Sequence, residues 1–237
     1  MSIITPEIEY VDRSMESIRY LEHGWPSDLC RWHSHREFEL HLIVATRGKA
    51  FVGDYIGEFR PGSLFLTGPY LPHNWVTDEI TSRHVSTRDM LVQFDQESVN
   101  SLSLAFPEFD DMRPMFELAC SGIEFSGFDA KLVQRRLAEI RNSSGPSRIL
   151  AFLQLLVEIN QHAEMRQLSV AAVTQPEDSN KHTRIASVVD HITQHFAEEI
   201  SLETAAELAC MSPTAFSRNF QKITGNRFLE FLNRVRV

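Results

Sequence analysis

Short apolar or alternating runs, each broken by turn residues, fill residues 15–95 of the 237-residue chain. Gly53-Asp54, Gly57 and Pro61-Gly62 provide the turn chemistry between them. Short strands separated by regularly spaced turns are typical of an all-β sandwich or barrel. We therefore predict a β-rich domain over residues 1–97.

The pattern changes to helical periodicity after about residue 97. Asp129 is a candidate N-cap for a helix whose apolar residues are Leu132, Val133, Leu137 and Ile140. A second helix follows Gly145-Pro146, and its apolar stripe is wider than one face: Ile149, Leu150, Phe152, Leu153, Leu155, Leu156, Val157 and Ile159. We predict that residues 98–166 form a helical packing segment, covered on one side by the sheet and on the other by a second subunit.

Periodicity is lost again in residues 167–181, "QLSVAAVTQPEDSNK", which we interpret as a linker to a helical block at 182–237. The charge is uneven along the chain. The net charge is −9, which argues against a general nucleic-acid binder, yet residues 211–237 contain five basic side chains and one acidic one. An acidic body with a small basic end suggests two separate tasks.

The stretch "SLETAAELACMSPTAFSRNFQKITG" predicts two short helices around a tight turn. The first helix runs from about Glu203 to Ala209, and a second begins at Ser212 as N-cap with Pro213 after it. Gly225 ends the second helix. Phe216, Phe220 and Ile223 would be buried, whereas a polar face is left exposed: Thr214, Ser217, Arg218, Gln221 and Lys222. This is the plan of a helix-turn-helix, although a hairpin used only for packing would show similar caps.

Residues 200–236 resemble the first helix-turn-helix and connecting helix of the AraC family of bacterial transcription regulators. The resemblance implies that Thr214, Ser217 and Arg218 face base edges, with Arg218 suited to guanine, and that Gln221 and Lys222 contact phosphate. It also implies an operator read in the major groove. The family has a second helix-turn-helix after the connecting helix, where this chain stops, so we expect a partial domain that binds DNA weakly alone.

The stretch "WHSHREFELH" at 32–41 places three histidines and two glutamates in a strand-like run. Alternation in a strand puts His33, His35 and Glu39 on one face, where His-x-His brings two imidazoles within reach of one ion. With the later Pro61-Gly62 turn and His73, the pattern resembles the cupin double-stranded β-helix. The resemblance implies a cupin-like sensor barrel, which together with the helices makes the fold class α+β.

Two kinds of site fit these residues. His33, His35, Glu39 and His73 would hold a divalent ion such as zinc, nickel, iron or manganese. Alternatively, the same side chains would hydrogen-bond a small organic inducer, with a sugar among the candidates, in a metal-free pocket. Candidate pocket-lining residues are Trp32, Phe51, Tyr70 and Trp75, each of which could equally be core. His41 and His84 are expected to be structural or solvated.

These features predict a ligand-responsive transcription regulator rather than an enzyme, acting as a homodimer through its central helices. The three scattered cysteines, the absence of an 18-residue apolar run and the acidic N-terminus favour the cytoplasm and no membrane partner. One alternative is a metal-dependent cupin enzyme of dioxygenase or isomerase type. Another is a truncated, dominant-negative dimer partner of full-length relatives.

Overall fold

The computed structural model describes residues 17–27, 31–78, 84–170 and 179–236, and over these residues the fold is mixed α+β. The described strands, in chain order, are β1 (Ile18–Trp25), β2 (Phe38–Ile43), β3 (Gly48–Val52), β4 (Tyr55–Phe59), β5 (Leu64–Thr67), β6 (His73–Thr77), β7 (Val85–Phe94), β8 (Ile123–Ser126) and β9 (Glu164–Gln167).

The described helices are α1 (Gln96–Ala105), α2 (Arg113–Ala119), α3 (Ala130–Asn142), α4 (Gly145–His162), α5 (Ser179–His195), α6 (Leu202–Leu208), α7 (Pro213–Thr224) and α8 (Phe228–Arg236). A 3₁₀ helix at Pro107–Met112 joins α1 to α2. The predicted N-cap is confirmed, because the Asp129 carboxylate accepts hydrogen bonds from the amides of Lys131 and Leu132. No helix in the described ranges combines the length and apolar content that crossing a membrane requires.

The strands form two antiparallel sheets, one in the order β1-β7-β2-β5-β8-β9 and the other in the order β4-β3-β6. Their inner faces share an apolar core in which Ile43 and Phe65 of the large sheet meet Val52 and Trp75 of the small one. We call the two sheets together the β-domain. The β-rich prediction for residues 15–95 is confirmed, but the described strands pair as two sheets rather than as one closed ladder. The cupin-type barrel therefore stays a prediction.

Helices α1 to α4 cover the outer face of the large sheet. Phe152 of α4 packs against Phe94 of β7 with ring centroids 4.8 Å apart, and the surrounding core joins strand and helix residues. The segment predicted to be wholly helical also contributes β8 and β9 to the large sheet. These four-residue strands are too short for a periodic signal; β8 is stabilised by pairing with β5, and β9 by pairing with β8.

The last four helices form a C-terminal unit, α5–α8, whose apolar core of aromatic and aliphatic side chains also includes Trp32 and Phe51 from the N-terminal part of the chain. The predicted linker falls mostly outside the described residues, since β9 ends at Gln167 and α5 begins at Ser179 while residues 171–178 are not described. Cys30 and the N-terminal residues before Ser17 also lie outside the described ranges.

Candidate metal centre and candidate nucleic-acid interface

Four side chains converge between the two sheets: His33, His35, Glu39 and His73, which we call the His/Glu cluster. Each offers one ligand atom, and these atoms all lie within 4.8 Å of one another. Glu39 lies on β2 and His73 begins β6, so the cluster joins the two sheets. The structure brings together all four residues that the sequence predicted.

The cluster is assembled differently from the predicted continuous strand, which is wrong in its first residues. Strand β2 begins only at Phe38, and His33 instead forms an isolated antiparallel pair with His73. The amide of His73 donates to the His33 carbonyl at 2.9 Å, and the amide of His33 donates to the His73 carbonyl at 3.2 Å. Backbone pairing between the segment before β2 and strand β6 therefore sets the separation of these two imidazoles.

Each of the three histidines turns its Nδ1 toward a backbone carbonyl two residues away. Nδ1 lies 2.7 Å from the Arg31 oxygen in His33, 3.1 Å from the Glu37 oxygen in His35 and 2.8 Å from the Leu71 oxygen in His73. A carbonyl only accepts, so Nδ1 must carry the proton and donate. Every Nε2 is thus left as the nitrogen available to the cluster, the arrangement that orients metal-ligating histidines.

The Glu39 carboxylate is the negative centre of the cluster. Its Oε2 accepts from Gln93 Nε2 at 3.0 Å and lies 3.2 Å from His35 Nε2, while Oε1 lies 2.9 Å from His41 Nδ1. Burial opposes ionisation, but the hydrogen bonds from histidines outweigh it and hold the pKa of Glu39 well below its usual value. Glu39 is therefore an anion at neutral pH.

Two imidazoles of the cluster are held neutral. Burial, together with the neighbouring histidines, lowers the pKa of His33 to about 3. Burial also lowers the pKa of His73, although Glu39 acts in the opposite direction. A neutral imidazole with a protonated Nδ1 presents a lone pair at Nε2, and this tautomer is the form that binds a metal ion through Nε2.

The donor set fits a divalent ion. Nε2 of His73 is fully buried, has no hydrogen-bond partner among the described residues and lies 3.7 Å from Glu39 Oε1, which is too far for a hydrogen bond. Three imidazole nitrogens and one carboxylate oxygen are ligands that zinc, nickel and iron accept. A tetrahedral ion with bonds of about 2.1 Å would have its ligand atoms about 3.4 Å apart, so a small inward movement of these side chains would let them hold it.

Sequence reasoning missed the groups that support Glu39. His41, predicted to be structural or solvated, is buried and stacks on Trp75 with ring centroids 4.0 Å apart. Its Nε2 lies 3.3 Å from Asp89 Oδ2, and Asp89 Oδ1 lies 2.9 Å from His23 Nδ1. Alternating carboxylates and imidazoles thus run from the cluster across β2, β7 and β1. In the sequence, the only indication of this row of side chains is that His41 follows Glu39 by two residues, which places both on the same face of a strand.

The predicted pocket-lining residues divide into two groups. Trp75 lies beside the cluster, 5.1 Å from His73 between ring centroids, and the amide of Tyr70 donates to the His35 carbonyl at 2.6 Å. Trp32 and Phe51 instead pack against Phe231 of α8, with centroid distances of 6.4 and 5.8 Å. These two side chains contribute to the contact between the β-domain and the C-terminal unit.

The second candidate site is the predicted pair of short helices, α6 and α7, which the structure confirms. Ser212 Oγ accepts from the Ala215 amide at 3.3 Å as the N-cap of α7, and Gly225 ends that helix with a φ of 72°. Cys210 occupies the turn with a φ of 51°. The small residues of α6 and of its C-cap are buried, which allows close helix approach: Ala205, Ala206 and Ala209.

The two faces of α7 divide as predicted, with one difference. Phe216 and Phe220 are fully buried, but Ile223 is only half-buried and Thr224 takes the third core position. On the opposite face, four of the predicted DNA-contacting side chains are exposed and Ser217 is partly exposed. All five line one shallow surface groove together with Leu202 and Pro213: Thr214, Ser217, Arg218, Gln221 and Lys222.

No protein-family model matches the chain, and no curated protein matches its sequence. Among solved structures, ToxT from Vibrio cholerae is 9% identical, with a TM-score of 0.40 over 92% of this chain and 99% of that one. The AraC-like transcriptional activator CuxR is 14% identical, with a TM-score of 0.30 over 94% and 73%. HEPD from Streptomyces albus, solved with Fe(II) and 2-hydroxyethylphosphonate, is 12% identical, with a TM-score of 0.27 over 67% and 45%. These three TM-scores are all below 0.5, so the likenesses carry no conclusion about function.

Proposed function

We propose that the chain is a sequence-specific DNA-binding transcription regulator of AraC type that responds to an effector held in its β-domain. The observation that carries this proposal is the capped helix pair α6–α7, which turns an exposed polar face outward on a buried aromatic base. A hairpin used only for packing has no need of an exposed arginine and lysine within one groove.

Helix α7 is the recognition helix in this proposal. Its N-terminal residues Thr214, Ser217 and Arg218 would enter the major groove, where the Arg218 guanidinium can donate two hydrogen bonds to guanine. Gln221 and Lys222, one turn further, would contact phosphate and set the register. The net charge of +4 over residues 211–237 favours approach to DNA in spite of the acidic β-domain.

The effector proposed for the His/Glu cluster is a divalent metal ion, which His33, His35, His73 and Glu39 would hold. Bound there, such an ion would supply a concentrated positive charge and Lewis acidity. The observation behind this choice is the set of three Nδ1–H donors to backbone carbonyls, which turns three Nε2 atoms toward one carboxylate. A small polar inducer such as a sugar, hydrogen-bonded by the same atoms, is the alternative occupant.

A homodimer through α3 and α4 completes the proposal, because a two-fold protein would read a two-fold operator. Leu150 of α4 is 68% exposed and Ile149 is 42% exposed, so the outer side of this helix still presents apolar surface. This exposed surface is the part of the apolar stripe of α4 that the large sheet does not cover.

The His/Glu cluster also favours a second candidate function, a metal-dependent cupin-type oxygenase or isomerase. Oxygen uptake or substrate turnover by the iron- or manganese-loaded chain would establish that activity, and the DNA interface would then need another explanation. Metal-loaded protein that is inert toward oxygen, sugars and small aromatic substrates favours the regulator.

The regulator proposal is tested by selecting duplexes from a random-sequence DNA pool with the full chain, in the presence and absence of zinc. We expect enrichment of one short motif, with half-sites in two-fold arrangement and affinity that depends on zinc. If the recovered DNA shows no enriched motif, and its binding at low salt is lost uniformly as salt rises, then α7 is a basic surface that binds DNA without sequence preference.

A further inference from the structure

Trp32 lies between the His/Glu cluster and the C-terminal unit. It directly precedes His33 in the chain, and its side chain is 2% exposed. Its backbone amide donates to Asp190 Oδ1 of α5 at 2.8 Å, so the residue next to a cluster histidine is bonded directly to the C-terminal unit. Burial raises the pKa of Asp190 to about 6, although this hydrogen bond acts in the opposite direction.

The indole of Trp32 joins apolar groups of both domains. It meets Phe51 of β3 edge-on at a centroid distance of 6.3 Å and Phe231 of α8 edge-on at 6.4 Å. Phe231 in turn lies 5.5 Å from Phe220 of the recognition helix α7. A continuous packed path therefore leads from the neighbour of His33 to the proposed DNA-binding helix.

Polar contacts hold α8 on the β3–β4 hairpin independently of Trp32. Lys49 Nζ donates to the carbonyls of Arg234 and Val235 at 3.3 and 3.0 Å, at the C-terminal end of α8 where a cation is favourable. Arg234 donates to the Asp54 carbonyl at 2.8 Å, and Asn226 donates to the same oxygen at 3.2 Å. The C-terminal unit thus has a fixed docking position on the β-domain.

Ligation is expected to displace the segment that carries Trp32. The four ligand atoms lie within 4.8 Å of one another, whereas a tetrahedral ion would bring such atoms to about 3.4 Å. Glu39 and His73 are held within strands. His33 precedes β2 and is anchored by one backbone pair, so inward movement falls mainly on its segment.

We propose that Trp32 transmits occupancy of the His/Glu cluster to the C-terminal unit, so that a metal ion in the cluster changes how α5 and α8 dock on the β-domain. This inference rests on the proposed function, which places the ion there. Since coupling between sites is reciprocal, a DNA duplex that favours one docking arrangement will change the affinity for the ion by the same factor. The recognition helix follows because it packs on α8.

The test is hydrogen–deuterium exchange of the full chain with and without zinc, with zinc uptake measured by calorimetry on the same samples. In the wild type we expect zinc to change the exchange of residues 228–236 by at least about fivefold, the lower end of typical coupling. In Trp32→Ala, zinc should still bind at one equivalent, but the exchange of α8 should no longer respond. Lys49→Met is the matched control, because it raises basal exchange of α8 and keeps the response.

The possible outcomes are distinguishable. Zinc uptake by the wild type without any response in α8 overturns this inference and leaves the proposed effector site standing, as does a response retained in Trp32→Ala. Absence of zinc uptake overturns both. If Trp32→Ala does not fold, Asp190→Ala removes only the acceptor of the Trp32 amide, and a folded Asp190→Ala in which the exchange of α5 still responds fully to zinc contradicts the proposal.

Discussion

Nε2 of His35 lies 3.2 Å from Oε2 of Glu39, with both side chains buried inside the β-domain. Burial alone lowers the pKa of His35, but hydrogen bonding to Glu39 outweighs it and the pKa is raised. The shared proton therefore sits where a metal ion would bind, and cation and proton compete for the same atoms.

This competition would make the affinity of the cluster for a metal ion depend on pH. Below the raised pKa of His35, we expect the apparent affinity for zinc to fall about tenfold per pH unit, because one proton must leave for each ion bound. Calorimetry in two buffers of different ionisation enthalpy measures the proton released. Affinity that is flat across this range would show that His35 does not ligate the ion.

Because of His41, the free energy of unfolding should decrease as the pH rises above neutrality. Burial lowers its pKa, but Asp89 and Glu39 outweigh burial and raise it to about 9. A raised folded-state pKa gives stability that is fully present below the ordinary value of 6.5 and is lost as pH rises through about 9. We expect a loss of about 3 kcal/mol over that window, measured by urea unfolding.

His41→Gln should abolish this alkaline loss, and His84→Gln, at an exposed position, should leave it intact. Parallel stability curves for the wild type and His41→Gln would contradict the assignment.

Asp89 should make stability depend on pH in the acidic range. Burial raises the pKa of Asp89, but His41 and His23 outweigh burial and hold this pKa below 3.8, so the contribution of Asp89 to stability is lost as pH falls.

Removing two cluster histidines should separate binding from folding. The double variant His33→Ala, His35→Ala is expected to lose zinc uptake and any effector-dependent change in DNA affinity, while circular dichroism and a cooperative thermal transition are retained. In the proposed site these imidazoles contribute ligand atoms rather than apolar core, which is why the fold should survive. Collapse of the β-domain would make these histidines structural.

Arg218→Ala should relax the preference for one base pair of the selected motif, at a cost of about 1–3 kcal/mol on the preferred sequence. Lys222→Ala is the comparison: it should weaken all sequences alike and reduce the salt slope by about one. Fluorescence anisotropy against the motif and its single-base variants measures both. If Arg218→Ala lowers the affinity for all sequences equally, Arg218 contacts phosphate rather than a base.

Leu150→Glu tests the proposed dimer. Because Leu150 is 68% exposed on α4, a charge there should be tolerated by the monomer but costly within an apolar interface. We expect sedimentation velocity to show a shift from dimer to monomer. Leu229→Glu, at a 64% exposed position of α8, is the control that should remain dimeric. If the wild type is monomeric at all concentrations, the proposed dimer is wrong.

The helix-turn-helix was predictable because its determinants are local. Ser212, Pro213 and Gly225 set the ends of α7 within one turn of themselves, and Phe216 and Phe220 define its buried face through helical spacing. The cluster residues were also predictable as candidates, because three of them lie within seven positions and a Pro-Gly turn precedes the fourth. Local caps and periodicity need no knowledge of which elements pair.

The sequence by itself therefore determined the β-rich start, the capped helix pair α6–α7 and the identity of the four cluster residues. Only the tertiary structure decided that Asp89 and Gln93 of β7 support Glu39 and His41, and that Trp32 faces α8 rather than a pocket. The same holds for β8 and β9 joining the large sheet. The reason is physical: these relationships depend on strand pairing and domain docking between residues far apart in the chain, where no local periodicity reports a partner.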